Sequence, residues 1–599
     1  MDTPRQPPQD APAHRAWPPT DRPADNPFRA LDFAKEAALA RLTAGLSPAA
    51  LQLAFSDWLI HLAAAPGKRL ELASLAAREA ARALALAYAG QAATGTAAEP
   101  FAQPCAGDTR FSDALWHIEP YRFWQQSFLM TEHWWRAATR DVPGTSRHHE
   151  EVVAFCMRQW LDAFAPANYL WSNPAVMQRT VTSFGANLTQ GAFNLLDDLT
   201  RIATRQPPAG VDAFKVGIDI AATPGRVVFR NHLIELIQYR PATAEVDAEP
   251  VLIVPAWIMK YYILDLSPHN SLIRYLVSQG RTVFCISWRN VDADDRDLGM
   301  DDYRRLGVMA ALDAVSAIVP GRRVHAAGYC LGGTLLSIAA AAMANAHDDR
   351  LATMTMLAAQ TDFTEPGELQ LFIDDSEIHF LESMMWERGC LEAGQMSGAF
   401  QMLQSNDLIW SRGVHDYLLG ERTPVFDLMA WNADATRMPY RMHAEYLRKL
   451  FLDNDLACNR LVVDGHTVSL LNLRMPVFAV GTEQDHVAPW HSVYKIHYLT
   501  DTDVTFVLTT GGHNAGIVSE SGHRGRHYRI KSTRAMDPNL SPDEWADRAT
   551  EQEGSWWSAW HLWLAEHSDG QRVQPPALGA GDPDAEALGD APGTYVFQK

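Results

Sequence analysis

The chain runs to 599 residues with a formal net charge of −20 and 47% apolar side chains, tryptophan alone contributing 19. That length accommodates more than one domain and at least one large buried core. The acidic balance excludes sequence-independent nucleic-acid binding, which rests on cationic contacts to phosphates, and any anionic substrate would need cations gathered locally.

In chain order, residues 1–27 are rich in proline and polar groups and lack an apolar signal-peptide core, so a disordered tail is expected there. Residues 28–210 read as a helical N-terminal domain. "DFAKEAALARLTAG" and "ELASLAAREAARALALAYAG" carry apolar residues at i, i+3, i+4 spacing and each stops at glycine. After a loose Gly/Thr/Ala/Pro stretch comes a tryptophan-rich helical block beginning "ALWHIEPYRFWQQSFLMTEHWWRAA", and "RQPPAGVDAF" marks the boundary. From 211 to 599 the texture becomes that of an α/β domain with a mostly parallel sheet. The expected strands are "VVFRN", "IELIQY", "PVLIVPA", "TVFCISW", "RRVHAAG", "ATMTMLAA", "MPVFAVGT" and "DVTFVLTTGG". A helical cap insertion of about 365–472 separates the sixth from the seventh. No run approaches the ~20 apolar residues of a membrane helix. The six cysteines (Cys105, Cys156, Cys285, Cys330, Cys390, Cys458) show no CxxC pair and no zinc-like spacing. The chain is expected to be soluble and cytoplasmic, its thiols reduced and mostly buried.

One cysteine falls outside that description. "GYCLGG" sits between an expected strand and an expected helix, and it has the G-x-S-x-G form of a nucleophile elbow with Cys330 in the serine position. Gly328, Gly332 and Gly333 would relieve the clashes of a sharp turn. The Leu331 N–H, at the helix N-terminus, could hold an oxyanion, and the same helix end favours thiolate. Glycine-flanked strand–helix turns also bind phosphates, so chain order has to decide between the readings. In an α/β-hydrolase fold the acid and the histidine follow the nucleophile, each just after a later strand. Asp485 follows "MPVFAVGT" and His513 follows "DVTFVLTTGG", both at C-terminal strand ends where such sheets place their sites. His486, beside Asp485, is expected to line or brace the site. The second oxyanion donor is expected from "PAWIMK", through the N–H of Trp257 or Ile258. Sulfur also points to a reaction type. An enzyme thioester lies close in free energy to an acyl-CoA thioester, which suits transfer of an acyl group from coenzyme A to a hydroxyl, although cysteine hydrolases exist as well.

With these residues in place, the chain resembles the class I polyhydroxyalkanoate synthases from about Arg110 to its C-terminus. The resemblance is carried by "RFSDALW", "APANYLWSNP", "KYYILDLSPHNSLIRYLVSQGRTVFCISWRN", "GYCLGGTLL", "NDLIWS", "FDLMAWNADATRMPYRMH", "EQDHVAPW", "GHNAGIV" and "EGSWWSAWHLWL". Ala256 and Met259 stand where the family usually has proline and asparagine. The resemblance implies an acyltransferase that polymerises (R)-3-hydroxyacyl-CoA, with 3-hydroxybutyryl-CoA the default monomer, through a Cys330–His513–Asp485 triad. It implies release of coenzyme A and no metal or other cofactor. It further implies a homodimer working on cytoplasmic polyester granules, with granule-associated proteins as further partners. The alternative on the same fold is a cysteine-dependent polyester depolymerase or thioesterase.

Overall fold

The computed structural model describes residues 27–599 apart from 44, 90–100, 106, 396–404 and 581–584. The expected tail, save Pro27, and most of the loose stretch after Gly90 therefore lie outside the described residues. The centre is a ten-stranded sheet. Its strands are β1 (Gly225–Arg230), β2 (Ile234–Tyr239), β3 (Val251–Val254), β4 (Val283–Trp288), β5 (Val324–Tyr329), β6 (Leu351–Leu357), β7 (Val477–Thr482), β8 (Val504–Thr509), β9 (His527–Thr533) and β10 (Thr550–Glu553). They lie in the order β1-β2-β4-β3-β5-β6-β7-β8-β9-β10. β4, β3, β5, β6, β7 and β8 pair in parallel, while β1 and β2 at one edge and β9 and β10 at the other pair antiparallel. Each expected strand is present. β9 and β10 were not anticipated, because "HYRIKST" and "TEQE" are polar edge sequences with one face or both toward solvent.

From β2 to β8 every strand residue is buried, as expected of strands covered on both faces. Alternation divides their side chains between two cores. Leu252, Ala326, Met354 and Ala479 face the helix Leu331–Asn345, whereas Ile253, Ala327 and Val480 face the tryptophan helix Trp557–Glu566. Trp560 ties that second helix to the sheet by donating from Nε1 to the Thr355 hydroxyl at 2.9 Å.

The regular structure of the N-terminal region's described residues is helical, chiefly in Pro27–Leu42, Pro48–Ala64, Pro66–Ala89, Tyr121–Ala138, Arg147–Ala163, Pro174–Thr182 and Ala186–Ala203. The tryptophan-rich block starts as a short 3₁₀ turn, Ala114–His117, and becomes α-helical only at Tyr121, because Pro120 cannot sit inside a helix. The cap insertion combines helices Asp375–Arg388, Asp427–Asn432 and Tyr440–Glu445 with three π-helical stretches and two short ribbons. Helix Ala186–Ala203 is amphipathic the wrong way round for a surface helix. Its polar stripe faces inward, where Asn187 and Asn194 donate to the Leu418 and Asp416 carbonyls and Asp198 accepts from Tyr417 and Arg422. Phe193, Leu196, Leu199 and Ile202 face outward.

The first helix clamps the cap. Phe33 packs on Trp386 with ring centroids 5.2 Å apart, Arg41 pairs with Glu387 at 2.6 Å, and the Ser383 hydroxyl donates to Glu36 at 2.7 Å. At the turn into the second helix the Ser47 N–H donates to the buried Glu377 carboxyl at 2.7 Å. Burial pushes Glu377 up to about 8; the Ser47 bond opposes this and nearby Asp374 adds to it. An acid whose pKa is raised on folding contributes stability that is fully present below its unfolded value and is lost as pH rises through the folded one. Glu377→Gln should therefore match the wild type near pH 4.5 and exceed it above pH 8, by an amount of the order of a few kcal/mol, measurable by urea unfolding across that range. A constant difference at all pH values would refute the assignment.

Candidate active site

The turn after β5 is built from steric necessity. Cys330 adopts φ 52°, ψ −126°, a conformation disfavoured for any residue with a side chain, and it opens the helix Leu331–Asn345. A Cβ on Gly328 would strike the Gly333 backbone, and one on Gly332 would strike the carbonyls of Val254 and Pro255. A Cβ on Gly333 would meet the Ala359 side chain. Helix and sheet can approach this closely only through bare backbone, and the approach holds Cys330 at the C-terminal edge of the sheet. The Cys330 N–H donates to the Leu357 carbonyl at 2.8 Å, which ties the turn to β6.

Asp485 and His513 reach the same place from β7 and β8. His513 Nδ1 lies 2.8 Å from Asp485 Oδ2. The Asp485 side chain is fully buried and also accepts from the N–H groups of Val487 and Ala488, both at 2.8 Å, and from the Thr482 hydroxyl at 3.1 Å. Burial alone would raise the Asp485 pKa, but His513 and these donors outweigh it and lower the value. For His513 burial works toward a lower pKa, yet the charge and hydrogen bond of Asp485, with similar contributions from Cys330, push it well above the ordinary histidine value. The Asp485 carboxylate therefore favours the charged form of the His513 ring. Tyr329, next to the cysteine, lies with its ring 5.7 Å from that of His513 and donates to Asn514 at 2.6 Å, bracing the histidine loop. Neither partner was singled out in the sequence, where a tyrosine in a strand reads as core.

Cys330, Leu331, His486 and His513 line one cavity of about 500 Å³ between sheet and cap. Ile258 and Met259 border it too, whereas the Trp257 ring turns into the core between Tyr303 and Tyr446. The cap holds this loop in place: Thr436 donates from its hydroxyl to the Trp257 carbonyl at 3.0 Å, and Trp431 Nε1 donates to the Lys260 carbonyl at 2.8 Å. The C-terminal segment braces it from beneath, since Lys260 Nζ donates to the Gln598 carbonyl at 2.7 Å. The conspicuous stretches "AWNADATRMP" and "TYVFQK" are thus the supports of one loop. The N-terminal clamp reaches the same cavity, because Gly45, Leu46 and Glu377 form part of its wall.

Strand order, a strained elbow after β5, and an acid and a histidine after β7 and β8 define an α/β-hydrolase fold with cysteine at the elbow. Comparison with known proteins agrees and is more specific. Residues 249–520 match the family model "alpha/beta hydrolase fold", residues 107–276 that of the "Poly-beta-hydroxybutyrate polymerase (PhaC) N-terminus", and residues 26–68 that of the "Poly-beta-hydroxybutyrate polymerase N terminal". The chain is 40% identical over 510 residues to a poly(3-hydroxyalkanoate) polymerase of Methylorubrum extorquens, covering 84% of this chain and 83% of the relative. It is 35% identical over 501 residues to a poly(3-hydroxyalkanoate) polymerase subunit of Cupriavidus necator, covering 82% and 83%. Among solved structures, a monoacylglycerol lipase of Paleococcus ferrophilus aligns with a TM-score of 0.31 at 11% identity, over 56% of this chain and 99% of the lipase. The chain belongs to the poly(3-hydroxyalkanoate) polymerase family.

Because Asp485 is the leading cause of the raised His513 pKa, Asp485→Asn should lower it. NMR titration of the His513 ring reads this directly, and an unshifted titration would show that the pair is not coupled.

Proposed function

We propose that this chain makes polyester from (R)-3-hydroxyacyl-CoA by way of an acyl group carried on Cys330. The observation that supports it best is the convergence of Cys330 and the Asp485–His513 pair on one largely apolar cavity. In this scheme the Cys330 proton passes to His513 Nε2, and the sulfur attacks the thioester carbonyl. The developing oxyanion is held by the Leu331 N–H and by a second N–H from the loop at Trp257 and Ile258, of which Ile258 borders the cavity. Collapse breaks the bond to coenzyme A, whose sulfur leaves with the proton from His513, and the acyl group remains as a Cys330 thioester. The 3-hydroxyl of a further unit then gives its proton to His513 and attacks that thioester; an ester forms and the Cys330 sulfur is released. Asp485 keeps the ring oriented and stabilises its charged form through both exchanges. Apolar walls favour the hydroxyl over water as acceptor, which separates polymerisation from hydrolysis.

Association with the polyester granule and pairing into a homodimer belong to the same proposal. The outward apolar stripe of helix Ala186–Ala203 and the neighbouring Phe184, which is 97% exposed, support such a contact, since an uncovered face of this kind is unusual on a free surface.

The scheme is tested by incubating the purified chain with (R)-3-hydroxybutyryl-CoA, following coenzyme A release and characterising the product. Insoluble polyester is expected; free 3-hydroxybutyrate as the sole product would overturn the scheme in favour of a hydrolase. Cys330→Ser should abolish release, and Asp485→Asn should slow it by roughly 10³–10⁴-fold. For the surface, Phe193→Ser combined with Leu196→Ser should leave initial coenzyme A release intact. It should lower the fraction of protein that sediments with polyester particles several-fold, or halve the mass read by light scattering. If neither changes, this face is not the contact.

A further inference from the structure

The catalytic cavity is walled mainly by apolar side chains such as Leu381, Met384, Leu391 and Phe451, and against that background two polar groups are left without partners. His443, in helix Tyr440–Glu445, is 6% exposed, and among the described residues its Nδ1 is buried with no hydrogen-bond partner. Gln360 is also 6% exposed, and its Oε1 is in the same position. Both residues line the cavity. Buried polar groups in a native protein are nearly always hydrogen-bonded, and each exception calls for an explanation, a functional role among them.

Both share the cavity with the Cys330 sulfur. Tyr446, one turn beyond His443, lines the same cavity as Cys330. Gln360 is fixed to the elbow helix, since the Thr334 hydroxyl donates to its carbonyl at 2.8 Å. Burial pushes His443 down to about 4, so the ring is neutral at physiological pH and carries one proton. Among the described residues the sealed Nδ1 has nothing to donate to, so the proton belongs on Nε2, and it is this second nitrogen, not Nδ1, that a group in the cavity would complete. His443 thus offers a neutral N–H donor, unsuited to take the sulfur's proton but suited to hold an oxygen.

A 3-hydroxyacyl chain brings two oxygens into this space. The carbonyl oxygen is accounted for by the backbone donors at Leu331 and the Trp257–Ile258 loop. The oxygen on carbon 3 is left, a hydroxyl in the monomer and an ester oxygen in the growing chain, and both accept hydrogen bonds. We propose that His443 is a substrate-binding residue that donates a hydrogen bond to the 3-oxygen of the acyl group on Cys330, and so selects 3-hydroxyacyl over unsubstituted acyl groups. This rests on the acyl-transfer reading above and adds to it a determinant of substrate class. Gln360, which lines the same cavity, supplies the complementary partner when the oxygen is a hydroxyl.

The test compares (R)-3-hydroxybutyryl-CoA with butyryl-CoA in the wild type, His443→Leu and His443→Gln, following coenzyme A release in single-turnover and steady-state experiments. In His443→Leu the KM for the hydroxylated thioester should rise by about tenfold or more, while acylation by butyryl-CoA changes by less than about twofold. His443→Gln, which keeps a donor, should recover part of the loss. Replacing an unpartnered polar ring by an apolar side chain should leave the melting temperature of His443→Leu unchanged or raised. Equal losses with both thioesters, a lowered melting temperature, or an unchanged KM for the hydroxylated substrate would each overturn the assignment. A wild-type chain that releases coenzyme A from neither thioester would instead overturn the acyl-transfer reading and this inference with it.

Discussion

The close approach of the helix Leu331–Asn345 to the ends of β3 and β5 is the constraint on which the remaining architecture depends. Gly332 lies against the carbonyls of Val254 and Pro255, and Gly328 against Gly333, so there is no room for a single methyl group. That contact forces Cys330 into a positive-φ conformation, an arrangement that persists only where the surroundings over-determine it. Here the surroundings are a sheet buried on both faces and a helix whose residues are almost all interior. The strain and the rigidity have one origin, and together they hold a sulfur at the sheet edge under the positive end of a helix.

The loops around the sulfur are held by parts of the chain remote in sequence. The loop after β3 is fastened from above by Trp431 and Thr436 of the cap and from below by Lys260 reaching the C-terminal segment. The cap is in turn fixed by the first N-terminal helix through Phe33, Glu36 and Arg41, and by Ser47 at the turn into the second. A region that reads as a separate helical domain is therefore mechanically part of the cavity. Leu46 and Glu377 meet in its wall, so a change in the N-terminal helices is felt at the cap helix that carries Leu381 and Met384.

The electrostatics divide the histidines of the site by partner. His513 has a buried carboxylate at 2.8 Å and is shifted upward; His443 has no charged partner and burial shifts it downward. The same side chain thereby favours its charged form at one position and its neutral form at another. This follows from the balance of desolvation against a nearby opposite charge.

How much of this was legible in the sequence follows from the range of the forces involved. Buried parallel strands must be apolar runs, and a tight strand–helix turn must have glycines beside the bent residue. β2 to β8, the elbow and the order Cys330, Asp485, His513 could therefore be read from local pattern. β9 and β10 could not, because an edge strand buries too little to need an apolar signature. Tyr329, Gln360, Glu377 and His443 were equally silent, since each looks like an ordinary core or helix residue until residues far away in the chain close around it. The sequence alone determined the sheet, the turn and the chemical identity of the sulfur, all set by steric and hydrophobic demands between near neighbours. Tertiary structure alone decided which helices wall the cavity and which buried polar atoms remain unpartnered, because burial and pairing are properties of assembled surfaces that no single segment carries.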